Sequence, residues 1–424
     1  MPTSLTPSLA IDDETLPLVY WVEHVLPTSG ARVYVDYTPG QHELREQLKS
    51  YFGTLLTPAS KEAMAQEGHN GPTSLEIRQK MGADGWLGIG WPTEYGGQGR
   101  SVLEQFVFFD EATRAGAPVP MIALNTVGPT IMKHGTDAQK EYFLPRILAG
   151  TLDVAIGYTE PGSGTDLASL RTKAERVGDE FVINGNKVYT TGGLTADWVW
   201  LAARSNPDAA KHKGITILMV DTKSPGFTAT PITTVGGEIT SATYYEDVHV
   251  PVDMVIGEID AGWRLITGQL NHERVALAAM GGKSLELFEA VRTWATQETN
   301  ADGVRLIDVP WVRQTLARVY ARFEALKLLN WRMAWKTEVG TLTPADASAG
   351  KVYGSEADIE GYKLLLEVIG RAGFLKKGST GAELAGQLEH AYRSAPVRTF
   401  GGGSNEVQRE ILVQTALGLP RGAR

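Results

Sequence analysis

The sequence predicts an α+β protein in which a β-domain separates two helical domains. Apolar residues recur with the spacing of amphipathic helices from about residue 41 to 150 and again from Trp263 onward. Between about 151 and 256 they alternate instead, as in half-buried strands. The chain has 424 residues, of which 42% are hydrophobic and 21% charged, and this length and composition are typical of a globular protein with several domains.

Four parts follow one another along the chain. Residues 1–40 are interrupted by prolines throughout and are expected to be an irregular extension. Residues 41–150 are predicted to form an N-terminal helical domain, 151–256 a middle antiparallel β-domain, and 257–424 a C-terminal four-helix bundle. The long helices of the bundle are expected at about 263–298, 311–338, 344–370 and 405–417.

In the middle domain, Asn184-Gly185 predicts a hairpin turn. The pair stands between Glu180–Val182 and Val188–Thr190, which both have the composition of strands. Asn-Gly between two such runs is the strongest short-range signal for a hairpin. The sequence therefore predicts two short strands joined at this point.

Composition excludes several classes of function. The chain has 40 Lys and Arg against 49 Asp and Glu, and the resulting net charge of −9 argues against an extended nucleic-acid-binding surface. Cysteine is absent, so disulfides, thiolate metal sites and thiol nucleophiles are excluded, and the eight histidines show no metal-ligand spacing. Because no apolar run has the length of a membrane span and the first residues lack a targeting pattern, we expect a cytoplasmic protein without a metal.

Two segments of the middle domain are candidates for ligand binding. The first is Thr159–Asp166, where small residues, exposed amides and the Thr165 hydroxyl could hold a pyrophosphate, although an ordinary turn has the same composition. The second is Tyr189–Gly193, where an aromatic ring beside a Thr hydroxyl suits a planar heterocycle. A half-buried strand predicts the same residues, so this second signal is weak alone.

Two further candidates lie in the C-terminal part. Glu273 falls at helical spacing from Ile266, on an apolar stripe, where a desolvated carboxylate would have a raised pKa and act as a base. A Glu paired with a nearby Arg at an interhelical contact is the alternative. In 400–409, three glycines precede Ser404, which is predicted to begin a helix. Such a helix start could offer N–H groups to a thioester carbonyl. The alternative is a flexible loop.

Taken in this order, the segments resemble the acyl-CoA dehydrogenase family. The most specific stretches are GYTEPGSGTDLASLRTKA (157–174) and EFVINGNKVYTTGGLTADW (180–198), supported by WPTEYGGQG (91–99), GGGSNEVQREIL and LGLPR. The resemblance extends from about Tyr37 to Gly422. It implies a helical domain, a middle β-domain and a four-helix bundle, with FAD bound between the last two. It also implies an acyl-CoA substrate, reoxidation of the flavin by an electron-transferring flavoprotein or similar acceptor, and a tetrameric assembly.

The resemblance also assigns roles by position. It implies that FAD is bound by Tyr158, Thr159, Gly164, Thr165, Tyr189, Thr191, Ser404 and Glu406. Tyr189 stands where many members have Trp. Most members carry the catalytic Glu in the C-terminal loop, where this chain has Gly402, but in the isovaleryl-CoA dehydrogenase type it stands on a helix just before an Arg. Glu273-Arg274 matches that type, so Glu273 is expected to be the base, the Gly402 amide to polarise the thioester carbonyl, and Asn271 and Arg274 to contact substrate.

Two departures from the family pattern concern contacts between subunits. Residues 303–310 replace R-x-x-F-G-x-P, which supplies an Arg to the neighbouring subunit's FAD, and 367–371 replace Q-x-x-G-G. Some bacterial relatives, including those acting on steroid side chains, form α2β2 assemblies with an unlike partner. We therefore expect either a homotetramer or the catalytic half of such an assembly, with a non-catalytic partner subunit and a flavin oxidase as alternatives. The space at Gly402 suggests a branched or ring-bearing acyl group.

Overall fold

The computed structural model describes residues 36–68, 70–268 and 282–420. Most of the predicted extension 1–40 therefore lies outside the described residues, as do Asn271, Glu273 and Arg274. Among the helices that the structure describes, none combines the length and the apolar composition needed to cross a bilayer.

The first part of the chain is helical. Polar residues cap these helices: Thr38, Ser101 and Thr136 each accept the backbone N–H three residues ahead while that residue's side chain returns a bond. Their apolar faces meet in one core that contains Phe52, Phe108 and Phe143. The helices are α1 (Pro39–Leu55), α2 (Pro58–Glu67), α3 (Pro72–Ala83), α4 (Val102–Ala115), α5 (Gly128–His134) and α6 (Asp137–Leu148).

The middle part is one eight-stranded sheet. Its strands are β1 (Val154–Gly157), β2 (Lys173–Val177), β3 (Glu180–Lys187), β4 (Trp198–Arg204), β5 (Ile215–Asp221), β6 (Phe227–Thr233), β7 (Ile239–Pro251) and β8 (Val255–Ile256). The order is β6-β7-β3-β2-β4-β5-β8, with β1 beside β4. The prediction of an antiparallel sheet needs one correction, because β4 pairs in parallel with both β1 and β2.

The hairpin predicted at Asn184-Gly185 is wrong. Strand β3 runs through both residues, and the turn between β2 and β3 lies at Gly178-Asp179. Gly185 instead marks an irregularity in the pairing of β3 with β7, at φ 148°, and a Cβ there would lie 2.7 Å from Thr172 Oγ1. Glycine is required here for a bulge and a close approach of two backbones, a role that the local sequence does not distinguish from a turn.

The last part is helical again. Residues 262–268 are helical, followed among the described residues by α7 (Gly282–Gln297), α8 (Pro310–Glu338), α9 (Pro344–Ile369), α10 (Gln387–Ser394) and α11 (Asn405–Ala416). Helices α7, α8 and α9 share a core that includes Phe288, Phe323 and Leu365. The helices predicted at about 311–338, 344–370 and 405–417 are present, and the helix predicted at 263–298 is helical at both described ends, while 269–281 lie outside the described residues. The short helix α10 is an addition within the connection to α11.

Candidate active site

The loop that follows β1, residues 158–166, is tied to the end of β3. Glu160 and Ser163 exchange two backbone hydrogen bonds and close a tight turn over Pro161-Gly162. The Val188 N–H donates to the Thr159 carbonyl oxygen over 2.8 Å. These bonds place the loop beside Tyr189, so the structure brings together the two candidate segments of the middle domain.

A buried ion pair fixes the same junction. Lys187 is fully buried at the end of β3, and its ammonium lies 2.8 Å from Glu160 Oε1 and 3.0 Å from the Tyr158 carbonyl oxygen. Glu160 also accepts the backbone N–H groups of Arg171 and Thr172. Each charge therefore has a counter-charge and further hydrogen bonds, which a buried ion pair needs to be tolerated.

The pKa values of this pair follow from burial and from mutual attraction. Burial lowers the pKa of Lys187 to about 8, and the adjacent carboxylate opposes that shift. For Glu160, burial acts to raise the pKa, but the Lys187 charge and the two backbone donors outweigh it and leave the pKa below its usual range. Both groups are thus charged at neutral pH.

The predicted FAD-binding residues of this loop differ in whether they face the core or the solvent. The Tyr158 hydroxyl accepts a hydrogen bond from Trp200 Nε1 over 2.9 Å, which turns this ring toward the core. Gly164 and Thr165 are exposed. A Cβ at Gly164 would meet only Thr159 Cγ2, at an ordinary 3.7 Å. The exposed backbone of 164–165 is therefore open to a ligand.

The segment after β3 presents an aromatic ring and a hydroxyl. Tyr189 is 64% exposed and has φ 61°, a left-handed conformation that is costly for a residue with a Cβ. Its neighbour Thr190 is held by Ser241, since the Thr190 N–H donates to the Ser241 carbonyl and Ser241 Oγ donates to the Thr190 carbonyl. Thr191 Oγ1 lies 3.1 Å from Thr240 Oγ1. Strand β7 thus fixes the conformation of this segment.

The C-terminal candidate is a loop of glycines before α11, here called the glycine loop (residues 400–403). Gly402 has φ +68° and no protein atom within 4 Å of where a Cβ would stand. Ser404 caps α11 by accepting the Val407 N–H, and Glu406 is exposed in the first helical turn. A helix start with free N–H groups favours an electron-rich ligand atom.

Helix α10 connects this C-terminal region to the sheet. Arg393 Nη1 donates to the Val235 carbonyl oxygen over 2.7 Å, and His390 Nε2 lies 3.6 Å from Glu238 Oε1. Val235 and Glu238 belong to the turn between β6 and β7, and Thr240 follows on β7. The turn between β6 and β7 therefore contacts the C-terminal part of the chain through α10.

The predicted base and its neighbours, Asn271, Glu273 and Arg274, lie outside the described residues. On the near side, Leu265 and Ile266 are buried, which agrees with the apolar stripe that contains Ile266. On the far side, the described chain resumes at Gly282 of α7, which packs so closely on Asp110 of α4 that a Cβ would collide with it. The chain on both sides of the predicted base is thus firmly packed.

The departure at 303–310 has a visible consequence. Arg305 is exposed and is bound within its own chain, with Nε 2.8 Å from Asp308 Oδ2. Residues 306–308 form a short 3-10 turn between the two. This arginine is therefore engaged locally.

Sequence reasoning missed the residues that hold the site in shape. Glu160 lay within a segment that it singled out, but Lys187 and Thr240 did not stand out. The misplaced turn at Asn184-Gly185 concealed the relation between Lys187 and the β1 loop. A lysine inside a strand that otherwise alternates could have indicated a buried partner, since Lys is almost never fully buried unless paired.

Comparison with known proteins agrees with this architecture. The N-terminal, middle and C-terminal domain models of acyl-CoA dehydrogenases match residues 38–151, 155–248 and 260–417. Acyl-CoA dehydrogenase FadE26 of Mycobacterium tuberculosis is 52% identical over 400 residues, which is 92% of this chain and 100% of that protein. Acyl-CoA dehydrogenase FadE29 of the same organism is 46% identical over 390 residues, 92% of this chain and 99% of that protein.

Solved structures give the same result. A chain of the Tcur3481–Tcur3483 steroid ACAD is 51% identical with a TM-score of 0.87, and the match covers 91% of this chain and 99% of that one. A chain of the ChsE4–ChsE5 complex from Mycobacterium tuberculosis is 52% identical with a TM-score of 0.87, covering 92% and 100%.

The fold and these matches define an oxidoreductase of the acyl-CoA dehydrogenase class. The chain belongs to the acyl-CoA dehydrogenase family, which is a family of flavoproteins. The resemblance noted in the sequence and the predicted fold class are both confirmed.

Proposed function

We propose that the protein catalyses the FAD-dependent α,β-dehydrogenation of an acyl-CoA thioester whose acyl group is bulky, either branched or the side chain of a steroid. The observation that carries this proposal is the open space at Gly402, where most family members place a carboxylate. The similarity to a chain of a steroid ACAD, at 51% identity, supports the same substrate class.

The described residues fit FAD. Exposed Gly164 and Thr165 offer backbone and hydroxyl groups for a pyrophosphate, and Tyr189 offers an exposed ring beside the Thr191 hydroxyl for a planar heterocycle. Ser404 and Glu406 stand at the start of α11, where N–H groups are available. Thr159 and Tyr158 contribute mainly through the backbone that Lys187 and Val188 hold. FAD, when bound, accepts the hydride that leaves the substrate β-carbon.

The protein's own groups handle the proton and the carbonyl oxygen. Glu273 takes the proton from the α-carbon, which becomes acidic enough when the thioester oxygen receives a hydrogen bond. The Gly402 amide supplies such a bond, because an exposed N–H stabilises negative charge that develops on the oxygen. Asn271 and Arg274 flank the base and contact the substrate.

We further propose that the chain is the catalytic subunit of an α2β2 assembly and passes electrons to an electron-transferring flavoprotein or a similar acceptor. The departures from the family pattern at 303–310 and 367–371, which concern contacts between subunits, support an unlike partner. One similar chain belongs to the ChsE4–ChsE5 complex, and another to the Tcur3481–Tcur3483 steroid ACAD, each named for two different proteins.

The test is an absorption spectrum of the purified protein, alone and with its partner subunit, followed by anaerobic titration with acyl-CoA esters. We expect stoichiometric flavin that is bleached by branched or steroid side-chain esters. Preference for straight-chain esters would contradict the substrate class. A protein that lacks flavin even beside a yellow partner would indicate a non-catalytic subunit, and rapid oxygen consumption would indicate an oxidase.

Thr240 is expected to tune the site through Thr191. Thr240→Val removes the hydrogen bond to the Thr191 hydroxyl, and because such a bond contributes about 1 kcal/mol, we expect kcat to fall roughly fivefold. Thr240→Ser, which keeps a hydroxyl, should remain near wild type. The exposed Thr228 on β6 provides the matched control Thr228→Val. An unchanged kcat and flavin spectrum in Thr240→Val would contradict this role.

A further inference from the structure

The glycine loop contacts one charged side chain of α9. Lys351 Nζ lies 2.6 Å from the Gly403 carbonyl oxygen, 3.1 Å from the Thr399 carbonyl oxygen and 2.7 Å from Asn405 Oδ1. An ammonium has three N–H groups and no acceptor, so these three oxygens use all of them. Lys351 therefore holds both ends of the loop, through Thr399 before it, Gly403 at its end and Asn405 after it.

The acceptors are themselves fixed in place. Asn405 is buried, and its Nδ2 donates to Ser355 Oγ over 3.0 Å and to Glu356 Oε1 over 3.2 Å, both on α9. Gln408 Nε2 lies 3.4 Å from the Gly402 carbonyl oxygen, and Gln408 Oε1 accepts from Ser348 Oγ over 2.7 Å. The carbonyl groups of Gly402 and Gly403 are thus both directed toward side chains anchored on α9.

The direction of these carbonyls determines the direction of the amides. In a planar trans peptide the N–H points opposite to the C=O. With the carbonyls of Gly402 and Gly403 turned toward α9 and α11, the N–H groups of Gly403 and Ser404 point away from them. Gly402 and Gly403 both have positive φ and no Cβ, so the loop backbone needs an external constraint to keep one conformation.

We infer that Lys351 is a positioning residue for the reaction. Through the Gly403 carbonyl it orients the Ser404 amide, and by holding Thr399 and Gly403 it keeps the Gly402 amide, which lies between them, in place for the thioester carbonyl of the substrate. This inference rests on the proposed function, since it assigns the loop amides to that oxygen.

The ionisation of Lys351 supports this role. Burial lowers the pKa of Lys351 to about 8, while the carboxylates of Glu406 on α11 and Glu356 on α9 oppose the shift. Glu356 is also paired with Arg409. Because the pKa is lowered to about 8, the ammonium form with three N–H groups predominates below about pH 8 and is lost as the pH rises through that value. The amine form has one N–H fewer and directs a lone pair at an oxygen.

The test compares Lys351→Met with Lys351→Arg in the holoenzyme. In Lys351→Met, hydrogen–deuterium exchange of the peptide spanning 399–405 should accelerate, and kcat/KM for the acyl-CoA ester should fall roughly tenfold, mainly through kcat, as expected when an amide donor to a developing oxyanion is misplaced. The wild type should lose kcat/KM above about pH 8. Lys351→Arg stays charged and should not show this loss. Lys363→Met, an exposed lysine on the same helix, is the matched control.

The outcomes separate the possible failures. Unchanged exchange of 399–405 in Lys351→Met overturns the inference, as does faster exchange with unchanged kcat and pH profile, which would make Lys351 only structural. If no acyl-CoA ester bleaches the flavin of the wild-type protein, the proposed function is overturned, and the inference with it. Accelerated exchange together with a lower kcat establishes the positioning role.

Discussion

Replacing Glu273 by Gln should abolish most of the dehydrogenase activity while leaving the flavin bound. A positioned general base contributes about 10²- to 10⁴-fold, and an amide cannot take up the α-proton, so kcat should fall by about 10³-fold. The residue precedes Arg274 and falls on the apolar stripe that contains the buried Ile266. Stopped-flow bleaching of the flavin under anaerobic conditions measures this step directly.

A matched control for Glu273→Gln separates the general loss of a negative charge from the loss of the catalytic base. Glu286→Gln makes the same change on an exposed position of α7 and should bleach at the wild-type rate. Bleaching that survives in Glu273→Gln at more than about a tenth of the wild-type rate would mean that another carboxylate is the base. Binding of the substrate should be nearly unchanged, because the isosteric amide leaves the shape of the pocket intact.

Breaking the buried pair beneath the β1 loop should have the largest effect on stability. Lys187→Met leaves the Glu160 carboxylate buried without its counter-charge, and removing one member of a buried ion pair costs about 3–5 kcal/mol. The same change releases the Tyr158 carbonyl from the Lys187 ammonium. We expect a lower midpoint of urea unfolding, followed by tryptophan fluorescence, and weaker retention of FAD on dilution.

The same loop provides the control for this prediction. Lys211 pairs with Asp166 at the other end of the loop, but both side chains are about half exposed. Exposed ion pairs contribute about 0–1 kcal/mol, so Lys211→Met should shift the unfolding midpoint little. Equal shifts in the two variants would show that burial of the Lys187–Glu160 pair does not matter for stability.

The prediction failed at Asn184-Gly185 for a physical reason. The dipeptide is favoured both by a hairpin turn and by a bulge, because both need a residue with positive φ. The choice between them depends on whether β7 and Thr172 lie alongside, and these are distant in sequence. Placing the turn there also made Val188–Thr190 a strand, whereas Tyr189 lies in a loop with a left-handed backbone.

The supports of the site were beyond local sequence reasoning for a similar reason. Lys187 and Glu160 are separated by 27 residues, and Lys351 and Asn405 by 54. Neither pair has a spacing that helical or strand periodicity would bring together. Only the folded chain shows that a carbonyl oxygen of the glycine loop and one of the β1 loop each accept a hydrogen bond from a lysine ammonium.

The sequence by itself determined the order of helices and strands, the fold class and the resemblance to acyl-CoA dehydrogenases, because periodicity, caps and contiguous motifs are local properties of the chain. It also directed attention to Glu273, Gly402 and the segment around Thr165. The tertiary structure decided the parallel pairings of β4, the bulge at Gly185 and the contacts that hold the Tyr158 and Gly403 carbonyls in place. These depend on burial and on distances between segments far apart in the chain, which no local pattern contains.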